Sequence, residues 1–261
     1  MIAKADTIAG MAKGMAVLES FDTERQRLNA TLAAQRAGIT RAAARRHLLT
    51  LEHLGYLETD GSYFWLSAKV LRFSGSYIAT ARLPRVIQPT VNRLALQTGE
   101  SLSVGVLDGA EVVVVARSVS MGAGPLSSAR PSVLASGLHL GARLPAHATS
   151  TGRVLLAAKT KSEFNTWMKG KTLARITAHT VTNAKTFRAE IERVRAQDYC
   201  VASEEHELGV HALAVPLRDM QGKTLAAMNI VAQPARFESA TMRRDLLPLL
   251  MDAAMEVRLL F

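Results

Sequence analysis

The spacing of apolar residues along the first 66 positions predicts three helices followed by a β-hairpin. In the first helix, predicted over 10–21, apolar side chains recur every three or four residues, which is the period of one buried helical face. The next two helices are predicted over 31–37 and 40–55, with Thr31 and Thr40 as their N-caps. An Asp-Gly pair between two apolar runs predicts the hairpin. This order is typical of a winged helix-turn-helix domain.

The third predicted helix has a cationic flank that suits DNA. It follows the second helix across a tight turn at Gly38. On a helical wheel Arg41, Arg45 and Arg46 share one side. The alanines between them allow a close approach to base edges, and arginine binds phosphate or guanine. The predicted DNA contacts are Thr40, Arg41, Arg45, Arg46 and Arg36, with Ser62 and Tyr63 in the wing.

From about residue 67 the pattern predicts a connecting helix and then a mixed domain. The connecting helix covers 67–81, and a further helix enters past Pro84 and Pro89 and ends at Gly99. Strands are predicted over 101–107, 111–116, 211–218 and 224–233, and helices over 151–158, 163–169, 183–197 and 241–260. Antiparallel strands mixed with helices predict an α+β fold. The predicted divisions of the chain are 1–66, 67–81 and 82–261.

The net charge favours a polyanionic partner without locating the DNA-binding part. The 261 residues carry a charge of +10. Residues 1–75 hold 10 basic and 7 acidic side chains, whereas 76–261 hold 22 and 15. Most of the excess therefore lies outside the predicted helix-turn-helix. The local signal is the segment 36–47, which contains no acidic residue.

The cysteine content and the absence of long apolar runs predict a cytoplasmic protein without a membrane contact. A single cysteine, Cys200, excludes an internal disulfide and suits a reducing compartment. No apolar run is long enough to span a bilayer, and the N-terminus lacks the apolar core of a signal peptide. We interpret Cys200 as a small buried residue rather than a nucleophile, since no activating base is evident.

Two segments of the second domain carry candidate binding chemistry. Residues 149–153 place hydroxyl side chains at the start of an apolar helix, where exposed amides can hold a carboxylate. From these residues alone, simple N-capping by Ser150 or Thr151 is the favoured interpretation. Residues 204–207 with His211 invite a zinc site, but the signal is weak without cysteine pairs or a His-Glu-x-x-His helix. We predict no metal and no cofactor.

Catalytic motifs do not support an enzyme. Ser150 lies in no Gly-x-Ser-x-Gly motif, and His147 is too close to it in sequence to imply a triad. The sequence has no Gly-rich phosphate loop and no dinucleotide fingerprint. We therefore predict a DNA-binding protein rather than an enzyme. A structural nucleoid protein, which would bind DNA without sequence preference, is the third alternative, and a footprint confined to one promoter excludes it.

Five segments resemble the IclR family of bacterial transcription regulators, in the family's order and spacing. Within it, the chain is most similar to the subgroup of PcaR, PcaU and PobR, which controls the catabolism of aromatic acids. The segments are GITRAAARR (38–46), LGYL (54–57), SVGVLDG (103–109), RLPAHATSTGRVLLA (143–157) and EEHELG (204–209). The resemblance implies a winged helix-turn-helix followed by a GAF-like effector-binding domain. It also implies a homodimer or a dimer of dimers on an inverted repeat in promoter DNA.

The resemblance further implies an effector pocket and reverses the preference for simple capping at 149–153. The implied effector-binding residues are Ser150, Thr151, Ala202, His206, His211, Ala212, Asn229 and Val231. Three of these positions are apolar, which suits an aromatic ring, and the two histidines suit a polar substituent. We expect an aromatic carboxylate such as 4-hydroxybenzoate, protocatechuate or terephthalate. One alternative is a regulator of the same fold that senses a short non-aromatic organic acid. The other, less favoured, is an enzyme acting on aromatic acids. A long loop, 118–136, is expected near this pocket.

Overall fold

The computed structural model describes residues 6–118, 138–232 and 239–261. All of the predicted loop 118–136 after Ser118 lies outside these residues. The chain divides into two compact units, of which the first ends at Tyr77 and the second begins at Ile78. Each unit has its own apolar core. In the part of the chain that is described, no helix has the length and hydropathy that a membrane span requires.

The first unit contains the predicted three helices and hairpin. They are α1 (Ala9–Leu18), α2 (Ala30–Ala37), α3 (Arg41–His53), β1 (Leu57–Thr59) and β2 (Phe64–Leu66). The two strands pair antiparallel, with Leu57 opposite Leu66. Apolar side chains from all of these elements and from Leu28 pack together, and Val17, Leu28, Ala44 and Leu48 are fully buried. The winged helix-turn-helix prediction is confirmed.

The turn between α2 and α3 is built by one cap, one glycine and a second cap. Asn29, and not the predicted Thr31, caps α2, because its side chain accepts hydrogen bonds from the amides of Thr31 and Leu32. Gly38 ends α2 with φ at +64°, a left-handed conformation that favours glycine. Thr40 caps α3 as predicted, since its Oγ1 accepts from the amide of Ala43 at 3.3 Å.

The predicted connecting helix runs across the division between the units. It begins with a 3₁₀ turn, Ala68–Val70, which Ser67 caps, and continues as α4 (Leu71–Thr80). The next helix, α5 (Arg82–Thr98), starts earlier than predicted and contains both Pro84 and Pro89. Pro84 lies in the first turn, where an amide has no helical acceptor in any case, so it does not interrupt the helix.

The second unit is built on one antiparallel sheet. The strands are β3 (Ser101–Asp108), β4 (Glu111–Arg117), β5 (Arg143–Pro145), β6 (Cys200–Ser203), β7 (His211–Arg218) and β8 (Thr224–Ala232). Their order across the sheet is β5-β4-β3-β8-β7-β6. The four longer strands were predicted, whereas the edge strands β5 and β6 were not, because three or four residues are too few to show a period. The α+β prediction is confirmed.

Helices cover both faces of this sheet. They are α6 (Ser150–Ala157), α7 (Lys161–Met168), α8 (Ala184–Gln197) and α9 (Leu247–Arg258), with helical and π-helical turns over Ser239–Thr241 and Met242–Leu246 leading into α9. Leu213 and Met228 pack with α5 and α9 on one face, while Ala214 and Ala227 pack with α6 and α8 on the other. The small residues on the second face bring α6, which is buried along its whole length, close to the sheet.

Candidate functional site

The surface of α3 presents the predicted cationic flank to solvent. Ala44 and Leu48 face the core of the first unit, whereas Arg41, Arg45 and Arg46 are exposed. None of these three guanidinium groups forms an ion pair with a described residue. The arginines are therefore available for phosphate groups or base edges, as a helix that enters the major groove requires.

The side chains of the other predicted DNA contacts differ in whether they already bind another residue of the unit. Arg36 is engaged in an ion pair with Asp22 within the unit, so it is less available than the arginines of α3. Ser62 and Tyr63 lie at the exposed tip of the hairpin, where their amides donate to Asp60 Oδ1 at 3.0 and 2.8 Å. These bonds fix the shape of the wing and leave both side chains at the surface.

A cavity in the second unit collects most of the predicted effector residues. It lies between the sheet, the start of α6 and the loop that follows β6, and it holds about 550 Å³ counted out to its open mouth. Seven of the eight predicted residues line it: Ser150, Thr151, Ala202, His206, Ala212, Asn229 and Val231.

His211 is the predicted effector residue that the structure places elsewhere. Its neighbour on β7, Ala212, lines the cavity. Successive side chains of a strand point to opposite faces, so His211 lies on the other face of the sheet. Its cross-strand partner Ala232 belongs to the core between the sheet and α9. The prediction that His211 binds effector is therefore wrong for this cavity.

The start of α6 has the features of a carboxylate seat. Thr149 caps the helix, since its Oγ1 accepts from the amide of Gly152 at 3.2 Å, so capping by Ser150 or Thr151 is wrong. The first amides of α6 have no helical acceptor, as at any helix start. Ser150 is fully buried, and its Oγ has no hydrogen-bond partner among the described residues. A hydroxyl and helix-start amides therefore converge at one end of the cavity.

A buried ion pair, which sequence reasoning did not assign, holds the cavity walls together. The Arg153 guanidinium forms two hydrogen bonds with the Glu205 carboxylate, and the side chains are only 2% and 10% exposed. Arg153 Nε also donates to the carbonyl of His147 at 3.0 Å, and the amide of Val181 donates to Glu205 at 3.1 Å. The available signal was a lone arginine within an apolar helix, because such a residue needs a buried partner.

Two further polar groups face the cavity from the sheet and the loop. Asn229 Oδ1 accepts from Ser103 Oγ at 2.5 Å. His206 has a buried Nδ1 without a hydrogen-bond partner in the described ranges. Burial lowers the pKa of the His206 imidazole below its usual value, and nearby His147 adds to the effect. His206 is therefore a neutral donor or acceptor near pH 7.

The remaining candidate groups do not suggest metal or thiol chemistry. Within 6–118, 138–232 and 239–261, no three His, Cys, Asp or Glu side chains are grouped so that they could hold a metal ion. Cys200 is buried, and its burial raises the pKa of the thiol to about 12. A protonated, inaccessible thiol is a poor nucleophile.

Gly152 is expected to be essential for the position of α6. A Cβ at this residue would lie 2.2 Å from the carbonyl oxygen of Ala146, which is backbone and cannot rotate away. We expect Gly152→Ala to lower the free energy of unfolding by about 1–3 kcal/mol, measured by chemical denaturation. Gly75→Ala on α4 is the control, because its Cβ meets no atom within 4 Å, so it should cause no loss. Equal stability of both variants would contradict the expected clash.

The family comparisons match both units. The IclR helix-turn-helix domain matches residues 10–61. The C-terminal domain of the bacterial transcriptional regulator IclR matches residues 75–259. The two matches together cover almost the whole chain and agree with the division into a helix-turn-helix unit and a second unit that contains the cavity.

Individual relatives are similar along most of the chain. The Pca operon regulatory protein of Acinetobacter baylyi is 49% identical over 253 residues, covering 97% of this chain and 89% of that protein. The p-hydroxybenzoate hydroxylase transcriptional activator of the same organism is also 49% identical over 253 residues, with 97% and 92% covered. A double mutant of the PobR inducer-binding domain from Acinetobacter, solved with 3-hydroxybenzoic acid, is 42% identical with a TM-score of 0.61, covering 68% of this chain and 98% of that one.

Proposed function

The chain belongs to the IclR family of bacterial transcriptional regulators, and on that premise we propose that it regulates an aromatic-acid degradation operon in response to an aromatic carboxylate. Its first unit binds promoter DNA in the bacterial cytoplasm, and the cavity of its second unit binds the effector. Two relatives are named as a Pca operon regulator and a p-hydroxybenzoate hydroxylase activator. A third is solved with 3-hydroxybenzoic acid. These names support an effector of the 4-hydroxybenzoate, protocatechuate or terephthalate type.

The observation that carries this proposal is the Ser150 hydroxyl at the start of α6, which has no hydrogen-bond partner in the part of the chain that the structure describes. It lies where the helix dipole and free amides favour an anion. No lysine or arginine is among the described residues that line the cavity, so the anion is held by dipoles and hydrogen bonds rather than by a paired cation. A carboxylate bound there satisfies the buried hydroxyl, which is otherwise costly to leave without a partner.

The apolar part of the cavity favours an aromatic ring over a short acid. Ala202, Ala212 and Val231 line it from β6, β7 and β8, and Val112 and Val114 line it from β4. A two- or three-carbon acid held at Ser150 leaves these side chains uncovered. A benzoate buries them, and burial of apolar surface contributes about 25 cal/mol for each Å².

Loss of the Ser150 hydroxyl should weaken effector binding. We expect Ser150→Ala to raise the Kd for benzoate and 4-hydroxybenzoate about tenfold, since a hydrogen bond to a charged group is lost. Isothermal titration calorimetry of the purified full chain measures this change. The matched control is Ser162→Ala, an exposed serine in the first turn of α7, which should bind like the wild type.

Three measurements separate the alternatives: the same titration, an activity assay and a DNA footprint. Tighter binding of pyruvate or glyoxylate than of any benzoate would replace the aromatic effector with a short acid. Turnover of an aromatic acid or ester by the protein without DNA would favour an enzyme. A footprint that spreads over DNA without sequence preference would favour a nucleoid protein. None of these outcomes is compatible with the proposal.

We infer that the protein binds an inverted repeat as a homodimer or a dimer of dimers. Helix-turn-helix proteins commonly place two recognition helices in successive major grooves, so the symmetry of the operator matches that of the dimer. The first unit exposes large apolar side chains on α1 and α4 that a partner subunit can cover: Met11, Met15, Leu71, Phe73 and Tyr77. Light scattering after size exclusion, with and without operator DNA, measures the oligomeric state.

Control by the effector requires that it bind one arrangement of the protein more tightly than another. We propose that α4, which joins the two units along the chain, transmits this difference. Exposed positions of α4 such as Ser74 and Ser76 can be replaced by glycine to loosen the helix. If these variants fold and still respond fully to effector, the coupling lies elsewhere.

A further inference from the structure

The basic excess of the second unit is concentrated in α7, α8 and the loop between them. Residues 159–197 hold nine basic and three acidic side chains, whereas the rest of 78–261 holds 13 and 12. No acidic residue occurs between Glu163 and Glu190. The basic side chains of this stretch are all exposed: Lys169, Lys171, Arg175, Lys185 and Arg188. None of them is assigned to the binding of DNA or of the effector.

These five cations also differ from most others in the unit because they lack carboxylate partners. Arg93, Arg143 and Arg218 each form an ion pair with an acidic side chain. In the part of the chain that the structure describes, none of the five does so, and Arg188 donates instead to the neutral amide of Asn165. Like charges that are left together repel one another, and a bound anionic group relieves this repulsion.

Aromatic rings connect the two ends of this cationic region. The guanidinium of Arg188 lies 5.7 Å from the ring centre of Phe164 on α7. The Nζ atom of Lys171 lies 5.1 Å from the ring centre of Trp167. The rings of Phe164 and Trp167 stack with their centres 6.3 Å apart. Arg188 and Lys171 therefore belong to one continuous surface.

Two further cations join this surface at the facing ends of the helices. Lys169 and Lys171 lie in the turn that ends α7, where the amide of Lys171 donates to the carbonyl of Met168 at 3.2 Å. Lys185 precedes Arg188 by three residues on α8, so the two share a helical face. The following residues form what we call the α7–α8 surface: Phe164, Trp167, Lys169, Lys171, Lys185 and Arg188.

Trp167 gives this surface a fixed aromatic group among the cations. Its indole Nε1 donates to the carbonyl of Gly109 at 2.7 Å, which anchors the ring to the β3–β4 turn, and the side chain is half-buried. An aromatic centre with a charged rim is typical of surfaces that bind proteins. The DNA backbone offers phosphate charges but no apolar group to cover the ring.

We infer that the α7–α8 surface binds an acidic segment of another protein, which places an apolar side chain on Trp167 and carboxylates on the surrounding lysines. The partner is an amphipathic segment rich in Glu or Asp. The surface is separate from the effector cavity, whose lining residues include no member of it. The charges accelerate the encounter, and the contact with Trp167 adds specificity.

The test uses a synthetic amphipathic peptide of glutamate and leucine without tryptophan. It is titrated into the full chain carrying Trp65→Phe, so that Trp167 is the only tryptophan. We expect binding to change the fluorescence of Trp167 and to weaken as salt is added. Combined replacement of Lys169, Lys171 and Lys185 by glutamine should raise the Kd about tenfold, since three exposed ion pairs are lost.

The matched control replaces Arg85, Lys223 and Arg243 by glutamine, which removes the same net charge from exposed positions elsewhere in the unit. It should change the Kd less than about twofold. Equal weakening by both triple variants, binding without a change in Trp167 fluorescence, or no binding to the wild type would overturn the inference. A non-specific DNA duplex that loses affinity in the lysine variant, while the peptide does not, would assign the surface to DNA instead.

Discussion

Glu205→Ala is expected to lower the free energy of unfolding of the second unit by about 3–5 kcal/mol, because it leaves the Arg153 guanidinium buried without a counter-charge. Arg153 is 2% exposed and cannot turn to water without moving α6. The alanine also removes the acceptor of the Val181 amide. Urea denaturation followed by Trp167 fluorescence measures the change, in a Trp65→Phe background that silences the other tryptophan.

Two further variants separate burial from charge. Glu256→Ala removes the partner of Arg93 in an exposed pair, whose side chains are 59% and 50% accessible, so it should cost less than about 1 kcal/mol. The double variant Arg153→Met with Glu205→Leu removes both buried charges and should recover most of the stability. A loss for Glu205→Ala no larger than that for Glu256→Ala would contradict the expected cost.

Simultaneous replacement of Arg41, Arg45 and Arg46 by alanine should raise the Kd for operator DNA at least about 10²-fold. Each arginine that binds a phosphate or a base edge contributes about 1–3 kcal/mol, and every 1.4 kcal/mol is tenfold. Alanine is the best helix former, and the three side chains lie outside the core, so α3 should persist. Fluorescence anisotropy on a duplex that the wild type selects from a random pool measures the loss.

A charge-matched variant tests whether the effect is local. Arg188, Arg193 and Arg243 are exposed in the second unit, and their replacement by alanine removes the same net charge. This control should change the Kd less than about threefold. The salt dependence adds a second readout, since each lost phosphate contact lowers the slope of log K against log salt by about 0.9. Equal losses for both triple variants would show that net charge, and not α3, determines binding.

The elements that could be predicted from the sequence are those whose hydrophobic pattern repeats several times, or whose turns contain characteristic residues. The helices of the first unit repeat over several turns, and the residue pairs Asp60-Gly61 and Asp108-Gly109 mark both hairpins. The edge strands β5 and β6 were missed because their three or four residues derive their conformation from pairing with β4 and β7. The N-cap of α2 was assigned to the wrong residue because Asn29 and Thr31 can both cap a helix. Only the backbone conformation shows that the cap is Asn29.

The binding site was less predictable than the fold. The resemblance identified most of the cavity residues, but it could not separate His206 from His211, because the face of each depends on strand register and loop path. The partner of Arg153 lies 52 residues away in sequence, a pairing that no local pattern encodes. That the Ser150 hydroxyl does not cap α6 became clear only from the structure, in which Thr149 is the cap.

The two ends of the cavity are formed by separate segments of the chain. Substitutions at one end can therefore change the ligand preference while the other end stays the same. The hydroxyl and amides that we propose as the seat of the acid group come from the start of α6, whereas the apolar surface proposed for the ring comes from single positions on β6, β7 and β8. The alanines of this surface lie on β6 and β7, so their replacement changes neither the sequence of α6 nor its cap. Gene duplication followed by one or two such changes would give sensors for different aromatic acids that keep one acid-binding end.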